Sequence, residues 1–149
     1  MEFTDSVRSM LDNKGSSVYC ITPSHTVYDA LEQMSRLSIG ALMVLDDEKI
    51  VGIISERDYA RKIALEGRVS REVRVREIMT SKLVEVSPSD TVDGCMKMLS
   101  EHRIRHLPVV EEGKLVGMIT SGDLVRWIMS RQSETIAQLE HYISGGYVR

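Results

Sequence analysis

Two hydroxyl–carboxylate pairs are the most regular chemical signal in the sequence. Ser55 precedes Asp58 by three residues, Thr120 precedes Asp123 by three, and each pair directly follows a Val-Gly-x-Ile segment. A hydroxyl residue followed three positions later by an acid is typical of a capping box at a helix start. A helix start also attracts phosphate, because its first N–H groups have no partner within the helix. The spacing therefore predicts two helix starts, and a capping role and a phosphate-binding role are compatible there.

The histidines do not fit a catalytic or metal-binding arrangement. His25, His102, His106 and His141 have no nucleophile partner, and the sequence lacks a Gly-x-Ser-x-Gly elbow, a Walker loop and a paired-cysteine motif. His102 and His106 are four residues apart, but a helix is expected to give way to a strand between them, and no third ligand lies nearby. We therefore expect no enzyme activity, no catalytic cofactor and no metal site.

Composition narrows the class of protein further. The chain has 149 residues, of which 42% are apolar, and a net charge of −3. No apolar run reaches the roughly 20 residues of a membrane span, and the N-terminus lacks a secretory pattern. Two cysteines, Cys20 and Cys95, are too few for a disulfide framework. We expect a cytoplasmic protein without membrane contact, and the acidic balance disfavours nucleic-acid binding.

The chain contains two similar halves. A shift of 65 residues aligns Val18–Ile63 with Leu83–Ile128 without a gap. The upstream segment Val7–Leu11 resembles Val75–Met79, with a shift of 68 residues because of the Gly15-Ser16-Ser17 insertion. Such self-similarity predicts a tandem of two like structural units. Identical pairs include Pro23/Pro88, Thr26/Thr91, Gly52/Gly117, Asp58/Asp123 and Arg61/Arg126.

Each half predicts the order β-α-β-β-α. The first strands, Val18–Ile21 and Leu83–Val86, end where a proline follows. Helices then begin after Thr26 and Thr91. One such unit leaves a sheet face uncovered, so we expect an α/β (α+β) fold in which two repeats pack sheet to sheet around a pseudo-twofold axis. The later hairpin strands are Ala41–Leu45 with Ile50–Ile54, and Leu107–Val110 with Leu115–Ile119.

These patterns divide the chain into five parts. The expected parts are a lead-in at 1–17, a first repeat at 18–65, a linker at 66–82, a second repeat at 83–130 and a tail helix at 131–149. The apolar residues Ile136, Leu139 and Ile143 recur at helical spacing in the tail, and Gly145-Gly146 predicts its end. The tail helix is expected either to lie back on the body or to pair with a second chain.

Longer motifs identify a family resemblance. The phrases His102–Val110, Leu115–Leu124 and Ile50–Arg61, together with Ser-Pro-x-x-Thr-Val before a helix, resemble a tandem cystathionine-β-synthase (CBS) domain pair, also called a Bateman module. The resemblance covers about residues 5–130. The sequence is also similar to the regulatory insert of inosine-monophosphate dehydrogenase, but no catalytic barrel accompanies it here. We therefore expect a stand-alone regulatory module.

The resemblance implies an adenosine nucleotide in clefts between the repeats. AMP, ATP and NAD or NADH are the expected ligands, and S-adenosylmethionine is a less favoured one. In such modules a hydroxyl and a carboxylate hold the ribose and the neighbouring phosphate. The matching residues here are Ser55 with Asp58 and Thr120 with Asp123.

The resemblance also implies that the two clefts are unequal. Arg105 and His106 are expected to supply phosphate contacts to the Asp58 cleft, because an arginine can bind two phosphate oxygens at once. The corresponding position in the first half is Gly40-Ala41, so the Asp123 cleft must find positive charge elsewhere, and Arg57 is a candidate. The remaining candidates for ligand contacts are Arg61, Thr22 and Ser87.

The expected function is a homodimeric sensor that reports nucleotide occupancy to a regulated partner protein. Two alternatives remain open: an assembly module that needs no ligand, and a single-stranded nucleic-acid binder. An aromatic content of 5% leaves few stacking surfaces for the latter. The dimer is expected to form through helices on the rim of the module. These are Val27–Leu37, Glu56–Leu65, Val92–His102 and Ser121–Met129, including Trp127.

Overall fold

The computed structural model describes residues 3–141. Two core clusters, one in each half of the chain, organise a mixed α/β fold with two small sheets. The first half contains β1 (Cys20–Ile21), α2 (Val27–Leu37), β2 (Ala41–Asp46), β3 (Lys49–Ser55) and α3 (Glu56–Tyr59), preceded by α1 (Val7–Lys14). The second half contains α5 (Val92–His102), β4 (His106–Glu111), β5 (Lys114–Thr120) and α6 (Ser121–Glu140), preceded by α4 (Val75–Ile78).

The two hairpins form as the sequence predicts. β2 pairs antiparallel with β3, and β4 pairs antiparallel with β5. Each hairpin turns through two residues with positive φ, Asp47 and Glu48 in one and Glu112 and Gly113 in the other. Two successive positive φ values are the signature of a type I′ turn, whose twist matches that of the strands.

The first strand differs between the halves, and Pro108 explains the difference. In the first half β1 lies parallel to β2, and the Met43 N–H donates to the Tyr19 carbonyl at 3.1 Å. Pro108 occupies the position equivalent to Met43 and has no N–H to donate. The predicted strand Leu83–Val86 is therefore reduced to a single parallel bridge between Val86 and Val109, and the second sheet has two strands.

The last helices of the two halves also differ from the sequence expectation. In the first half the chain passes from α3 into a π-helical turn at Ala60–Ala64. In the second half α6 runs without a break from Ser121 to Glu140, so residues 131–140 of the expected tail helix continue the last helix of the repeat. Ile143 and Gly145-Gly146, from which the end of the tail was predicted, lie outside the described residues. Within residues 3–141, no helix combines the length and the apolar character needed to cross a membrane.

The two similar lead-in segments dock in exchanged positions. The N–H of Val7 donates to the Asp90 carbonyl at 2.8 Å, which places α1 against the second half. The N–H of Val75 donates to the His25 carbonyl at 2.8 Å, which places α4 against the first half. Val7, Met10 and Leu11 accordingly belong to the core of the second half, although about 80 residues separate them from it in the chain. Val73, Val75 and Ile78, from the predicted linker, belong to the core of the first half.

Glycine permits close approach at both docking points. A Cβ added at Gly117 would lie 2.7 Å from Cδ2 of Leu11. A Cβ added at Gly52 would lie 2.9 Å from Sδ of Met79 and 3.0 Å from the backbone oxygen of Thr80. That oxygen accepts the N–H of Ile53 at 3.0 Å, so it cannot move without disturbing the bridge between Ile53 and Thr80.

We predict that Gly52→Ala destabilises the protein by about 1–3 kcal/mol, the usual cost of overpacking. Gly117→Ala should cost less, because it collides with a leucine side chain that can rotate whereas Gly52→Ala also displaces a hydrogen-bonded backbone. Urea unfolding of the two variants and the wild type measures the difference. Equal losses, or a larger loss for Gly117→Ala, would contradict this account of the docking points.

Candidate ligand-binding site

A cleft of about 700 Å³ opens between the two halves. One side of the cleft is formed by the junction of β3 and α3, including Ser55 and Asp58. Its other side is the segment that joins α5 to β4, including Arg103 and Arg105, together with His106 at the start of β4. This volume lies within the range of small-molecule sites in proteins. The structure therefore brings Arg105 and His106 to the same cleft as Asp58.

Asp58 is a buried carboxylate at the base of this cleft. Its side chain caps α3: Oδ2 accepts the Ser55 N–H at 2.9 Å and the Ser55 hydroxyl at 3.1 Å. Oδ1 accepts the Thr80 hydroxyl at 3.2 Å and lies 3.0 Å from the Lys62 ammonium. Asp58 is 8% exposed, and a buried charge of this kind is tolerated because several donors and a cation compensate it. The capping box predicted from Ser55 and Asp58 is confirmed.

Cations dominate the wall of the Asp58 cleft. Six arginine and lysine side chains line it, against the two acids Glu56 and Asp58. Arg57 bridges the cleft, because its Nη1 donates to the carbonyl oxygen of Arg103 at 2.7 Å. Arg57 therefore lies with Asp58, which corrects the expectation that it serves the Asp123 cleft. The six cationic side chains are Arg57, Arg61, Lys62, Lys82, Arg103 and Arg105.

His106 is half-buried at the start of β4, next to Gly40. A Cβ added at Gly40 would lie 3.5 Å from Cε1 of His106, an ordinary contact distance, so the imidazole ring packs directly beside this glycine. Burial lowers the pKa of His106 below its ordinary value of 6.5, and the charges of Lys14, Arg105 and Arg57 act in the same direction. Asp123 opposes them. The ring is therefore neutral near pH 7 and becomes a cation only under acidic conditions.

Asp123, the carboxylate of the second pair, lines a smaller cleft of about 480 Å³, whereas Thr120 is not among the residues that line it. Thr120 caps α6, and the Thr120 N–H donates to Oδ2 of Asp123 at 2.8 Å. The same oxygen accepts Nζ of Lys14 at 2.6 Å, and Oδ1 accepts Nη2 of Arg126 at 2.8 Å. Burial acts to raise the pKa of Asp123, but the hydrogen bonds from Lys14 and Thr120 together hold this pKa below its ordinary value. Asp123 is therefore an ion already paired within its own chain.

Lys14 is the cation that sequence reasoning missed in this cleft. It extends from the end of α1, and its Nζ also donates to the Met118 carbonyl at 2.6 Å. The shift of 68 residues between the lead-in segments aligns Lys14 with Lys82, which lines the Asp58 cleft. That alignment is the signal in the sequence, but it points to Asp123 only because α1 docks on the second half.

Two other predicted residues lie away from both clefts. The Thr22 hydroxyl is 2.6 Å from Nδ1 of His25, and the Ser87 hydroxyl is 2.8 Å from that of Ser89. Both hydroxyls therefore bond within their own turns, and neither residue is among those that line the clefts. Among residues 3–141, no three His, Cys, Asp or Glu side chains are grouped so as to hold a metal ion.

Comparison with known proteins assigns the two halves to one family. The sequence matches the CBS domain over residues 13–65 and again over residues 75–130. It is 41% identical over 138 residues to the mitochondrial CBS domain-containing protein CBSX3 of Arabidopsis thaliana, covering 89% of this chain and 66% of that protein. It is 30% identical over 125 residues to the CBS domain-containing protein YhcV of Bacillus subtilis, covering 84% of this chain and 89% of that protein.

A solved structure agrees with this assignment. A Burkholderia ambifaria protein with CBS domains, described as one of signal transduction, superposes with a TM-score of 0.83 and 46% identity over 86% of this chain and 96% of that one. The family match spans both repeats and more than half of the sequence. The chain therefore belongs to the CBS domain family and is a tandem CBS pair, a class of regulatory module.

Proposed function

We propose that this protein is a nucleotide sensor that binds an adenosine nucleotide in the Asp58 cleft and transmits its occupancy to a partner protein. One observation carries the proposal: a cleft of ligand size joins a buried carboxylate to six cationic side chains. A carboxylate accepts the two hydroxyls of a ribose, and clustered guanidinium and ammonium groups bind phosphate. A nucleotide combines these two chemical groups in one molecule.

The bonds of Asp58 suggest how a ribose would enter. Ser55 satisfies Oδ2 as part of the helix cap, so this part of the arrangement would stay in place. Thr80 and Lys62 satisfy Oδ1 from the cleft side. A ribose hydroxyl that replaced the Thr80 hydroxyl would exchange one hydrogen bond for another at little net cost. Lys62 would remain close enough to neutralise either the carboxylate or a phosphate.

The charge of the cleft favours anionic members of the ligand class. AMP, ATP and NAD carry phosphate, and Arg105 lies on the opposite wall from Asp58 to receive it. S-adenosylmethionine carries a sulfonium cation and no phosphate, so six cations in the wall disfavour it. A single-stranded nucleic acid would need an extended basic track, whereas these cations line one cleft on a chain of net charge −3.

Ligand binding would act on the relative placement of the two halves. Asp58 belongs to the first repeat and Arg105 to the second, so a nucleotide in contact with both favours the arrangement in which they face each other. A ligand shifts such an equilibrium only by its difference in affinity for the two arrangements. In this proposal the sensor works as a homodimer in the cytoplasm. An assembly module without a ligand is the second candidate, and the exposed apolar residues of α6 favour it.

We predict that Asp58→Asn weakens AMP and ATP binding by about 1.5–3 kcal/mol, the usual value for a lost charged hydrogen bond. The matched variant Asp123→Asn changes the equivalent residue of the other repeat. It should leave the affinity near that of the wild type, because the Asp123 carboxylate is already bonded to Lys14. Isothermal titration calorimetry gives the affinities, and thermal unfolding confirms that both variants fold. A larger loss in Asp123→Asn would assign binding to the other cleft.

We predict that AMP binds more tightly as the pH falls towards 6.5 and below. The pKa of His106 is lowered in the free protein, first by burial and then by Lys14, Arg105 and Arg57 against the opposing Asp123. A bound phosphate raises the pKa of His106 above its value in the free protein. Between these two pKa values the complex takes up a proton on binding, so affinity rises as the pH falls. Well above both values the ring is neutral in either state, and its titration no longer affects affinity.

Calorimetry in two buffers with different ionisation enthalpies measures this proton uptake. His106→Gln should abolish the contribution of the ring, whereas the titration of the phosphate itself is common to both proteins. The lowered pKa also means that folding stability falls as the pH drops below 6.5, so thermal unfolding must show a folded protein at each pH. Equal proton uptake by the wild type and His106→Gln would remove His106 from the phosphate site.

A further inference from the structure

The last helix carries apolar residues that its own chain leaves exposed. Val125, Met129, Ile136 and Leu139 are 54%, 60%, 56% and 55% exposed. A different face of α6 packs against the rest of the protein: Leu124 is buried there, and Trp127 and Ile128 are half-buried. Every residue from 129 to 141 is exposed, so the second part of α6 buries little apolar surface against the body, although Arg131 is bonded to Asp5.

The spacing of these residues is that of a helix that pairs with another helix. Val125, Met129, Gln132, Ile136 and Leu139 follow one another at intervals of four, three, four and three residues. This 3.5-residue period keeps one seam facing a partner helix over its whole length, and it defines the a and d positions of a coiled coil. Met129 and Ile136 occupy a positions, and the other three residues occupy d positions. From Val125 to Leu139 the seam is about 21 Å long.

Charged residues on the side of α6 away from this seam are bonded within the chain. Arg131 donates to both carboxylate oxygens of Asp5 at 3.0 and 3.1 Å and to Glu134 at 2.8 Å. Its guanidinium also lies 5.7 Å from the ring of Trp127. The bonds to Asp5 hold the c position, Arg131, against the start of the chain, and the a/d seam remains as the face for a partner.

We propose that this seam pairs in parallel and in register with the same seam of a second copy of the chain. In parallel coiled coils, Ile at an a position with Leu at the next d position favours an assembly of two helices, as at Ile136 and Leu139. Parallel register also places each Gln132 beside its own counterpart. An amide has both donor and acceptor groups, so this polar residue bonds to itself across a twofold axis and opposes shifted registers.

The inference concerns assembly and does not depend on which ligand the Asp58 cleft binds. It extends the proposed homodimer beyond the rim helices of the repeats, because α6 continues past the rim helix Ser121–Met129 as far as Glu140. The seam is absent from the first repeat, in which the helix after the capping box gives way to a π-helical turn at Ala60–Ala64. The second repeat alone therefore supplies this contact.

Charge placed in the seam tests the proposal. We expect the wild type to be a dimer at micromolar concentration in sedimentation velocity, and Ile136→Glu to raise the dimer dissociation constant at least tenfold. Ala137→Glu puts the same charge on the next residue, outside the seam, and should keep the dimer. Circular dichroism verifies that each variant folds. A wild-type monomer, or a dimer unaffected by Ile136→Glu, overturns the proposal; in the second case dimerisation through the rim helices would still stand.

A disulfide tests the orientation. In a Cys20→Ser background, Leu139→Cys should form a disulfide-linked dimer under mild oxidation, because identical d positions meet in a parallel pair. Ala137→Cys, on the outer face, should not. An antiparallel pair would hold the two Leu139→Cys sulfurs far apart, so the absence of the linked dimer in Leu139→Cys overturns the parallel arrangement.

Discussion

The exchanged docking of the two lead-in segments is the constraint on which the rest of the structure depends. α1 completes the core of the second repeat, and α4 completes the core of the first. The first exchange ties together segments about 80 residues apart, so the second repeat cannot complete its core without the N-terminus of the chain. Gly52 and Gly117 have the same role in the two halves, since each lets a lead-in side chain approach the strand after the hairpin turn.

The same exchange makes two nearly identical motifs chemically different. At the end of α1, Lys14 reaches Asp123 and forms a hydrogen bond of 2.6 Å. The equivalent Lys82 lines the other cleft, where Lys62 and Thr80 contact Asp58 instead. One carboxylate is thus bound to the lead-in helix, while the other faces the larger cleft among cations. In the proposed function, this asymmetry makes the Asp58 cleft the preferred site of a pseudo-symmetric fold.

Local rules predicted much of this fold, and long-range packing accounts for what they missed. The helix starts at Thr26, Thr91, Ser55 and Thr120 followed from capping chemistry, and the repeat showed that they occur twice. The loss of the first strand in the second half depends on Pro108, which the sequence displays but which matters only once its partner is known. The partner of Asp123 could not be predicted, because Lys14 reaches it only after α1 has crossed to the other repeat.

The number of nucleotides bound per chain tests the central claim most directly. Calorimetric titration of AMP into the wild-type protein, with the protein concentration measured independently, gives this number. The account predicts one site per chain, because the Asp58 cleft is open and cationic whereas Lys14 and Arg126 already hold Asp123. Two equivalent sites per chain, or no saturable binding, would contradict it.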